Sequence, residues 1–417
     1  MNAFRYKILK NSGINHYGKL TFHNNKEIET PVRWFGLSLI ESKEFHLEIF
    51  KKAKIEAFLS NAFDLYFTDK KEMRKNLITD LQELKLCHKM DSGGFQLMKA
   101  GIKGTSNKFP LTPEMVLEKQ LAIGCECGVQ LDFPFGPNLT KSQKKKRLDQ
   151  TIRNLEIVMK LIDKNEVDFT ILPVIHSVSN DHDLLNYGLE KIEDLLGGPP
   201  GLIGIGSLVP LVKSMEKNGI ESFLYALISL RKTLPDSFIH AFGIGGTMAY
   251  LAVLSGIDSY DSNGWIQKTA YGVIQLPGTS DRYLKKEYHN RSYLIKERKL
   301  KHSKKVINEI AMFMKCSCEA CQPYNPESWK EKDWKLKQQD FAGRSQEAKL
   351  LRGIHNVSLY QDELLKIREA IKNERLVEFI KSRLENSIFY KYVPFVEKIK
   401  EENIENLRAL KVFSRNY

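Results

Sequence analysis

Asp91-Ser92-Gly93-Gly94-Phe95-Gln96 is the stretch on which the reading of this chain turns. An apolar lead-in (Leu84, Leu86, Met90) precedes it, and Leu97 and Met98 follow. It reads as a strand that ends abruptly in a carboxylate, two glycines and an aromatic ring. Glycine has no Cβ, so backbone can approach a ligand closely there. Phe95 offers a flat face and Asp91 a proton acceptor, a pairing that suits a planar heterocycle. Standing alone, six such residues are a tight turn after a strand. The rest of the chain takes the argument further.

Working outward, the same pattern repeats. Val129-Gln130-Leu131 ends at Asp132, and the run 169–175 ends at His176. Residues 202–205 end at Gly206-Ser207, and Phe238-Ile239 leads to His240 and then Gly243-Ile244-Gly245-Gly246. Ile257 leads to Asp258 and Asp261. Between these runs lie amphipathic stretches such as 141–160 and 220–234, with apolar residues at helical spacing. Alternating β and α segments predict a parallel sheet. Chemically capable residues at the C-terminal ends of six or more successive strands predict a (β/α)8 TIM barrel, whose site is built at that face. A doubly wound sheet would gather its site at one switch point. Upstream, 18–22 and 28–32 read as a β-hairpin across Asn24-Asn25, and 57–63 as a buried strand.

The 417 residues carry 64 Lys and Arg against 51 Asp and Glu, a formal charge of +13. A balance that basic favours a polyanionic partner, nucleic acid before a membrane surface. With 42% hydrophobic and 28% charged residues the chain is that of a globular protein. No apolar run approaches the length of a membrane span, and Met1 to Lys7 lacks the apolar core of a signal peptide, so a cytoplasmic location is expected. Residues 281–305 form a basic segment with interleaved tyrosines, a candidate for phosphate contact.

Cys316-Ser317-Cys318-Glu319-Ala320-Cys321 places three thiols in six residues. His355 is the natural fourth ligand, with His302 and His289 as rivals. Cys3His is a tetrahedral zinc set, and four protein ligands leave no open position, so the metal is expected to be structural. Cys125 and Cys127 form a second C-x-C pair without a nearby histidine and read as core residues.

The hexapeptide and the cysteine cluster together resemble the guanine transglycosylases, enzymes that exchange a guanine in tRNA for a 7-deazaguanine. The resemblance implies a covalent double displacement at C1′ of the ribose, the logic of retaining glycosidases applied to an N-glycoside. Gly256-Ile257-Asp258-Ser259-Tyr260-Asp261-Ser262 resembles the family's G-x-D-x-F-D-S/C, which implies Asp261 as nucleophile. The residues by themselves leave Asp258 open as a rival. Asp91 is implied as general acid/base and Asp132, in Leu131-Asp132-Phe133-Pro134, as the acceptor for a guanine edge. Phe95 would stack on the base, with Gly206 and Ser207 lining its pocket. The runs 205–210 and 240–245, and the spacing between Cys321 and His355, are most similar to the archaeosine-type members. The choice of His355 as fourth ligand rests on this likeness, as does a possible homodimer through the zinc subdomain.

Two departures stand out. His176-Ser177 occupies the place of the family's glutamine and glycine, so the base pocket must differ. After Asp261 the text is Asn263-Gly264-Trp265-Ile266-Gln267-Lys268-Thr269-Ala270-Tyr271, without the arginines that read an anticodon loop in bacterial members. By this likeness the archaeal C-terminal RNA-binding domains are expected to be lacking. A tRNA substrate is favoured, with base exchange on DNA (as in DNA-modifying paralogues) as the alternative and preQ0 or preQ1 as the incoming base. A partner-type subunit without activity should have lost aspartates, and Asp91, Asp132 and Asp261 are all present. A zinc-dependent hydrolase would need an open metal position. The expected organisation is a barrel over 1–310 with the N-terminal hairpin, a zinc-binding subdomain over 311–360, and helices over 361–417.

Overall fold

The computed structural model describes residues 4–37, 41–102, 109–136, 139–176, 182–213, 217–284, 304–324 and 330–403. Three antiparallel strands open the chain: β1 (Phe4–Ser12), β2 (Asn15–Phe22) and β3 (Glu27–Thr30). The expected hairpin is β2 and β3, closed by a turn in which Asn25 takes positive φ and Phe22 N–H bonds to the Lys26 carbonyl. Its second strand is shorter than expected. Pro31 has no N–H to give to the ladder, and Val32 starts the first strand of the main sheet instead.

That sheet is wholly parallel: β4 (Val32–Gly36), β5 (Ala57–Asn61), β6 (Cys87–Asp91), β7 (Cys127–Val129), β8 (Ile171–Leu172), β9 (Val174–His176), β10 (Leu202–Gly206), β11 (Phe238–Ala241) and β12 (Ser259–Ser262). Neighbours follow chain order, and β12 returns to β4, with Asp261 opposite Trp34. The two ends of the hydrogen-bonded order are β8 and β9, which are halves of one strand split at Pro173. Leu172 pairs with Val129 on one side, and Ile175 with Ile205 on the other. The nine segments are therefore eight strands closed into a ring, the (β/α)8 barrel.

Side chains alternate in and out along a strand, so the barrel interior is read off every second residue. Its lower layers are apolar: Val32, Ala57, Cys87, Cys127, Leu202 and Phe238, then Trp34, Leu59, Val129 and Leu172. Lys89 and His240 share that middle level and are fully enclosed. At the C-terminal rim the inward positions turn polar, with Asp91, His176, Gly206 and Asp261. The sheet β1–β3 lies against the barrel; the Tyr6 ring meets Phe238 edge-on at 5.6 Å.

The helix expected over 141–160 runs Lys141–Lys164, started by a capping box between Thr140 and Gln143. That expected over 220–234 runs Lys217–Thr233. The helix Gln346–Lys372 packs on Lys43–Ala53 and on Gly264–Ala270. Near its C-terminal end the buried Arg368 donates to the carbonyls of Pro31 at 2.9 Å and Glu29 at 2.7 Å, and to the Glu56 carboxylate. Cys125 and Cys127 are core residues, as expected, and burial pushes both thiols up. Among the described residues no helix is long and apolar enough to cross a membrane.

Candidate active site and metal centre

Asp91 is the last residue of β6 and half-buried at the rim, its Oδ1 accepting the Ser92 N–H at 2.9 Å. Desolvation first, and the Asp261 carboxylate second, push its carboxyl up to about 6. Phe95 lies in the first turn of the helix Gly94–Ile102, 41% exposed, with the Lys99 ammonium 4.4 Å from its ring centre.

Asp261 sits on β12, turned inward and nearly enclosed. Its Oδ2 accepts from Lys89 Nζ at 2.9 Å and lies 3.1 Å from His240 Nε2; its Oδ1 accepts the Gly243 N–H at 2.6 Å. Burial alone would push this carboxyl up. Lys89, His240 and the Gly243 N–H overcome it and hold the group well below the ordinary carboxylate range. His240 is itself driven down to about 4, by burial and then by Lys89. Its other nitrogen, Nδ1, is 2.7 Å from Ser259 Oγ, which also accepts from Trp34 Nε1 at 2.8 Å.

The other aspartate of the motif lies away from the rim. Asp258 precedes β12, at the opposite end of the barrel, and is fully buried. It pairs with the Arg231 guanidinium and accepts from Ile239 N–H at 2.8 Å and Tyr6 hydroxyl at 2.8 Å. Nothing in solution can reach it. Residues three apart on one strand point to different sides, and here they also lie at different depths.

Asp132, His176, Gly206 and Ser207 form a second group across the rim. Asp132 Oδ1 accepts from Ser92 Oγ at 3.1 Å, and its Oδ2 lies 3.5 Å from His176 Nε2. Burial, with Asp91 adding to it, pushes Asp132 up to about 7. His176 is buried and held near 3, by desolvation and then by Arg147, so its ring is neutral at ordinary pH. Its Nδ1 is 3.1 Å from Ser207 Oγ, which also accepts the Phe135 N–H at 2.9 Å; its Nε2 has no hydrogen-bond partner. Gly206 is required here, because a Cβ would sit 2.8 Å from His176 Nδ1. The glycine of the opening hexapeptide has a similar reason: a Cβ on Gly94 would come within 2.5 Å of Asp132 Oδ1. Its room serves the chain's own pocket as well as any ligand. Ser177 and the rival histidines His289 and His302 lie outside the described residues, as does 285–303 of the basic segment.

Beside Asp261, an open cleft of about 540 Å³ is lined by Gly243, Gly245, Ser262, Lys268, Tyr271 and Tyr283. The stretch after Asp261 is the helix Gly264–Ala270. Trp265 is a core residue whose Nε1 donates to the Gly36 carbonyl at 3.0 Å, and Lys268 is paired with Asp281.

Cys316, Cys318, Cys321 and His355 converge, with ligand atoms within 4.8 Å of one another. His355 Nδ1 is 3.4, 3.8 and 3.4 Å from the three sulfurs. Ligands about 2.0–2.3 Å from a central zinc would be separated by about 3.5–3.8 Å, so the spacing suits a metal ion. His355 Nε2 lies 2.9 Å from the Gln275 carbonyl. An Nε2–H donated there leaves Nδ1 free to ligate, the usual support for a metal-bound histidine.

Lys89 and Ser92 were not singled out from the sequence as site residues. Lys89 stands two residues before Asp91, hence on the same face of β6; a lysine in the middle of a strand read as buried was the available signal.

Comparison with known proteins gives the family. A family model described as Queuine tRNA-ribosyltransferase matches residues 12–388. The chain is 25% identical over 393 residues to the tRNA-guanine(15) transglycosylase of Pyrococcus furiosus, covering 92% of this chain and 56% of that protein. It is 25% identical over 395 residues to the protein of that name from Methanocaldococcus jannaschii, covering 90% and 52%, and 24% over 384 residues to that from Archaeoglobus fulgidus, covering 91% and 68%. The chain thus spans little more than half the length of most of these relatives. Since the matched segment runs from β1 to beyond the metal cluster, the chain belongs to the queuine tRNA-ribosyltransferase family.

Proposed function

We propose that this chain exchanges a guanine in nucleic acid for a 7-deazaguanine such as preQ0 or preQ1, through a glycosyl ester on Asp261. The observation that carries this reading is a pair of rim carboxyls driven in opposite directions. Asp261 is held ionised and suited to attack. Asp91 is held up to about 6 and suited to carry a proton. Environments that push two carboxyls apart assign the nucleophile and the acid/base.

In the first half, Asp261 attacks C1′, the C1′–N9 bond breaks towards the base, and Asp91 gives the departing guanine its proton. In the second half, Asp91 takes the proton of the incoming base, whose nitrogen attacks C1′ and returns the bonding pair to Asp261. Asp132 accepts from the N1–H and exocyclic amine of either base, and Phe95 stacks on the ring. His176, neutral and with Nε2 unpartnered, supplies one further hydrogen bond in the pocket. The target base must leave its stack to reach the rim.

The names of the relatives favour tRNA as the polymer. The early turns of Lys141–Lys164 carry Lys144 and Lys146 beside Lys141, Lys145 and Arg147, of which Lys141 and Lys145 pair with Asp183 and Asp149 and Arg147 donates to the Pro134 carbonyl; a helix start this basic is consistent with a phosphate backbone. DNA is the alternative polymer: the helix Gly264–Ala270 that follows Asp261 carries no arginine, which is compatible with either. We assign zinc, in a structural role, to the Cys3His cluster.

The test is base exchange. Protein is incubated with labelled guanine, preQ0 or preQ1, and with tRNA or duplex DNA in separate tubes, Asp261→Ala serving as control. Incorporation into tRNA supports the reading. Incorporation into DNA alone keeps the chemistry and changes the polymer. No exchange in either tube from folded protein overturns it.

A further inference from the structure

We propose that Lys89 is a positioning residue for Asp261, one that fixes the attacking oxygen and drives the carboxylate off again in the second half of the exchange. The inference rests on the reading of Asp261 as nucleophile and concerns a residue outside the catalytic pair.

A lysine in the middle layer of a barrel is out of place. Apart from His240, that level is filled by Trp34, Leu59, Val129 and Leu172, and an enclosed ammonium is costly unless paired. Lys89 is 1% exposed, and its Nζ lies 2.9 Å from Asp261 Oδ2 and 2.5 Å from His240 Nε2. The rings of Phe242 and Trp34 cover it, with centroids 4.9 and 5.6 Å away. The titratable groups around it are Asp261 on β12, His240 on β11, Asp91 on β6 and Cys127 on β7. With His240 neutral, Lys89 is the cation that faces the nucleophile.

Two consequences follow. Oδ2 accepts from Lys89 and abuts His240 Nε2 at 3.1 Å, which crowds it on the buried side, whereas Oδ1 accepts the Gly243 N–H. Oδ1 is therefore the oxygen that forms the bond to C1′, and it lies on the side of Gly243, which lines the cleft. The second consequence concerns charge. Before attack, Lys89 and Asp261 neutralise each other. In the glycosyl ester Asp261 is neutral, and Lys89 is left as an unpaired buried cation. When the incoming base attacks C1′, the C1′–Oδ1 bond breaks, its electron pair returns to the carboxylate, and the pair is restored. Lys89 thus makes Asp261 a weaker nucleophile and a better leaving group. It keeps the ester short-lived, which suits an enzyme whose intermediate must go to a base and not to water.

The experiment is single-turnover kinetics with a tRNA or DNA substrate and preQ0 as acceptor, following the protein–polynucleotide adduct on denaturing gels. Wild type and Lys89→Met are compared, with Lys89→Gln as second neutral variant and Lys89→Arg as the charge-keeping one. Adduct breakdown should fall at least tenfold more than adduct formation in the neutral variants, so that adduct accumulates, and Lys89→Arg should restore part of the ratio. Adduct formation in wild type should stay level as pH falls through the ordinary carboxylate range, and an acidic limb should appear in the neutral variants. Equal slowing of both halves with no new limb overturns the proposal; a wild-type limb near 4 that persists in a His240→Gln variant, and so is not that of His240, overturns it as well. Absence of adduct and of exchange in wild type overturns the reading of Asp261, and the inference with it. A normal wild-type adduct with an unchanged ratio in the neutral variants overturns the inference alone.

Discussion

Replacing Asp132 by asparagine should make the protein more stable and its base pocket weaker. In the folded chain, burial and the nearby Asp91 push the Asp132 carboxyl up to about 7, from an ordinary value of 3.8. That shift of about three units, at ~1.36 kcal/mol each, sets a ceiling of ~4 kcal/mol on what ionisation of this group takes from stability at pH 7. Relaxation around the site and the fit of the new amide reduce it; Ser92 Oγ and His176 Nε2 are its neighbours. A gain of about 2 kcal/mol at pH 7 is expected. The sign follows from protons bound. Between about pH 4 and 7 the unfolded chain has released this proton and the folded chain has kept it, so wild type loses stability as pH rises through that window. The variant has no such loss. Urea unfolding of both proteins at pH 4, 5.5 and 7 checks it: the curves should coincide at pH 4 and separate towards pH 7. The same variant should bind the acceptor base at least ~10-fold more weakly, having lost a charged acceptor. A variant no more stable than wild type at pH 7, or a difference independent of pH, would refute the argument that Asp132 is held in the site against its solvation.

Adduct formation needs Asp91 protonated, so its rate should fall about tenfold per pH unit above 6, and Asp91→Asn should abolish that dependence along with most of the rate; a stopped-assay pH series measures both. Removing the metal with a chelator, or replacing Cys318 by serine, should release about one zinc per chain and lower the thermal midpoint, as read by metal analysis and calorimetry. Arg231→Met should destabilise by roughly 3–5 kcal/mol, because it strands the Asp258 carboxylate in a fully buried position; chemical denaturation gives the value, and a loss under 1 kcal/mol would show that Asp258 finds other partners.

The barrel was legible because its strands end in residues that are poor strand formers and good chemistry. Asp91, Asp132, His176, Gly206 and Asp261 mark the rim from the sequence alone. What escaped was whatever depends on contacts far apart in the chain. Residues Phe4–Ser12 alternate apolar and charged (Phe4, Tyr6 and Ile8 against Arg5 and Lys7), but that pattern does not say what the strand pairs with or packs on; β2 supplies the ladder and Phe238 the packing. Asp258 and Asp261 could not be told apart until Arg231, brought in by the helix Lys217–Thr233, claimed one of them. Likewise His355 is 34 residues beyond Cys321, and only the helix Gln346–Lys372 delivers it to the sulfurs. The role of Lys89 depends on two residues about 150 and 170 positions later, which no local pattern reports.

The junction of Arg368 with Pro31, Glu29 and Glu56 has a bearing on how the chain is made. On the ribosome β4 emerges early, but its second neighbour β12 begins at Ser259 and its outer brace ends at Arg368. At about 5–20 residues per second, the interval between the first barrel strand and that brace is roughly 17–70 s. Until Ser262 has been made, Val32, Trp34 and Phe35 stand on a strand with one edge open, and until Arg368 has been made that strand lacks its outer brace; such a segment is the kind that holding chaperones capture. The nascent chain is expected to need such protection until its last third appears, and a stop codon placed between residues 262 and 346 should give a product that closes its ring of strands but is cleared by proteases.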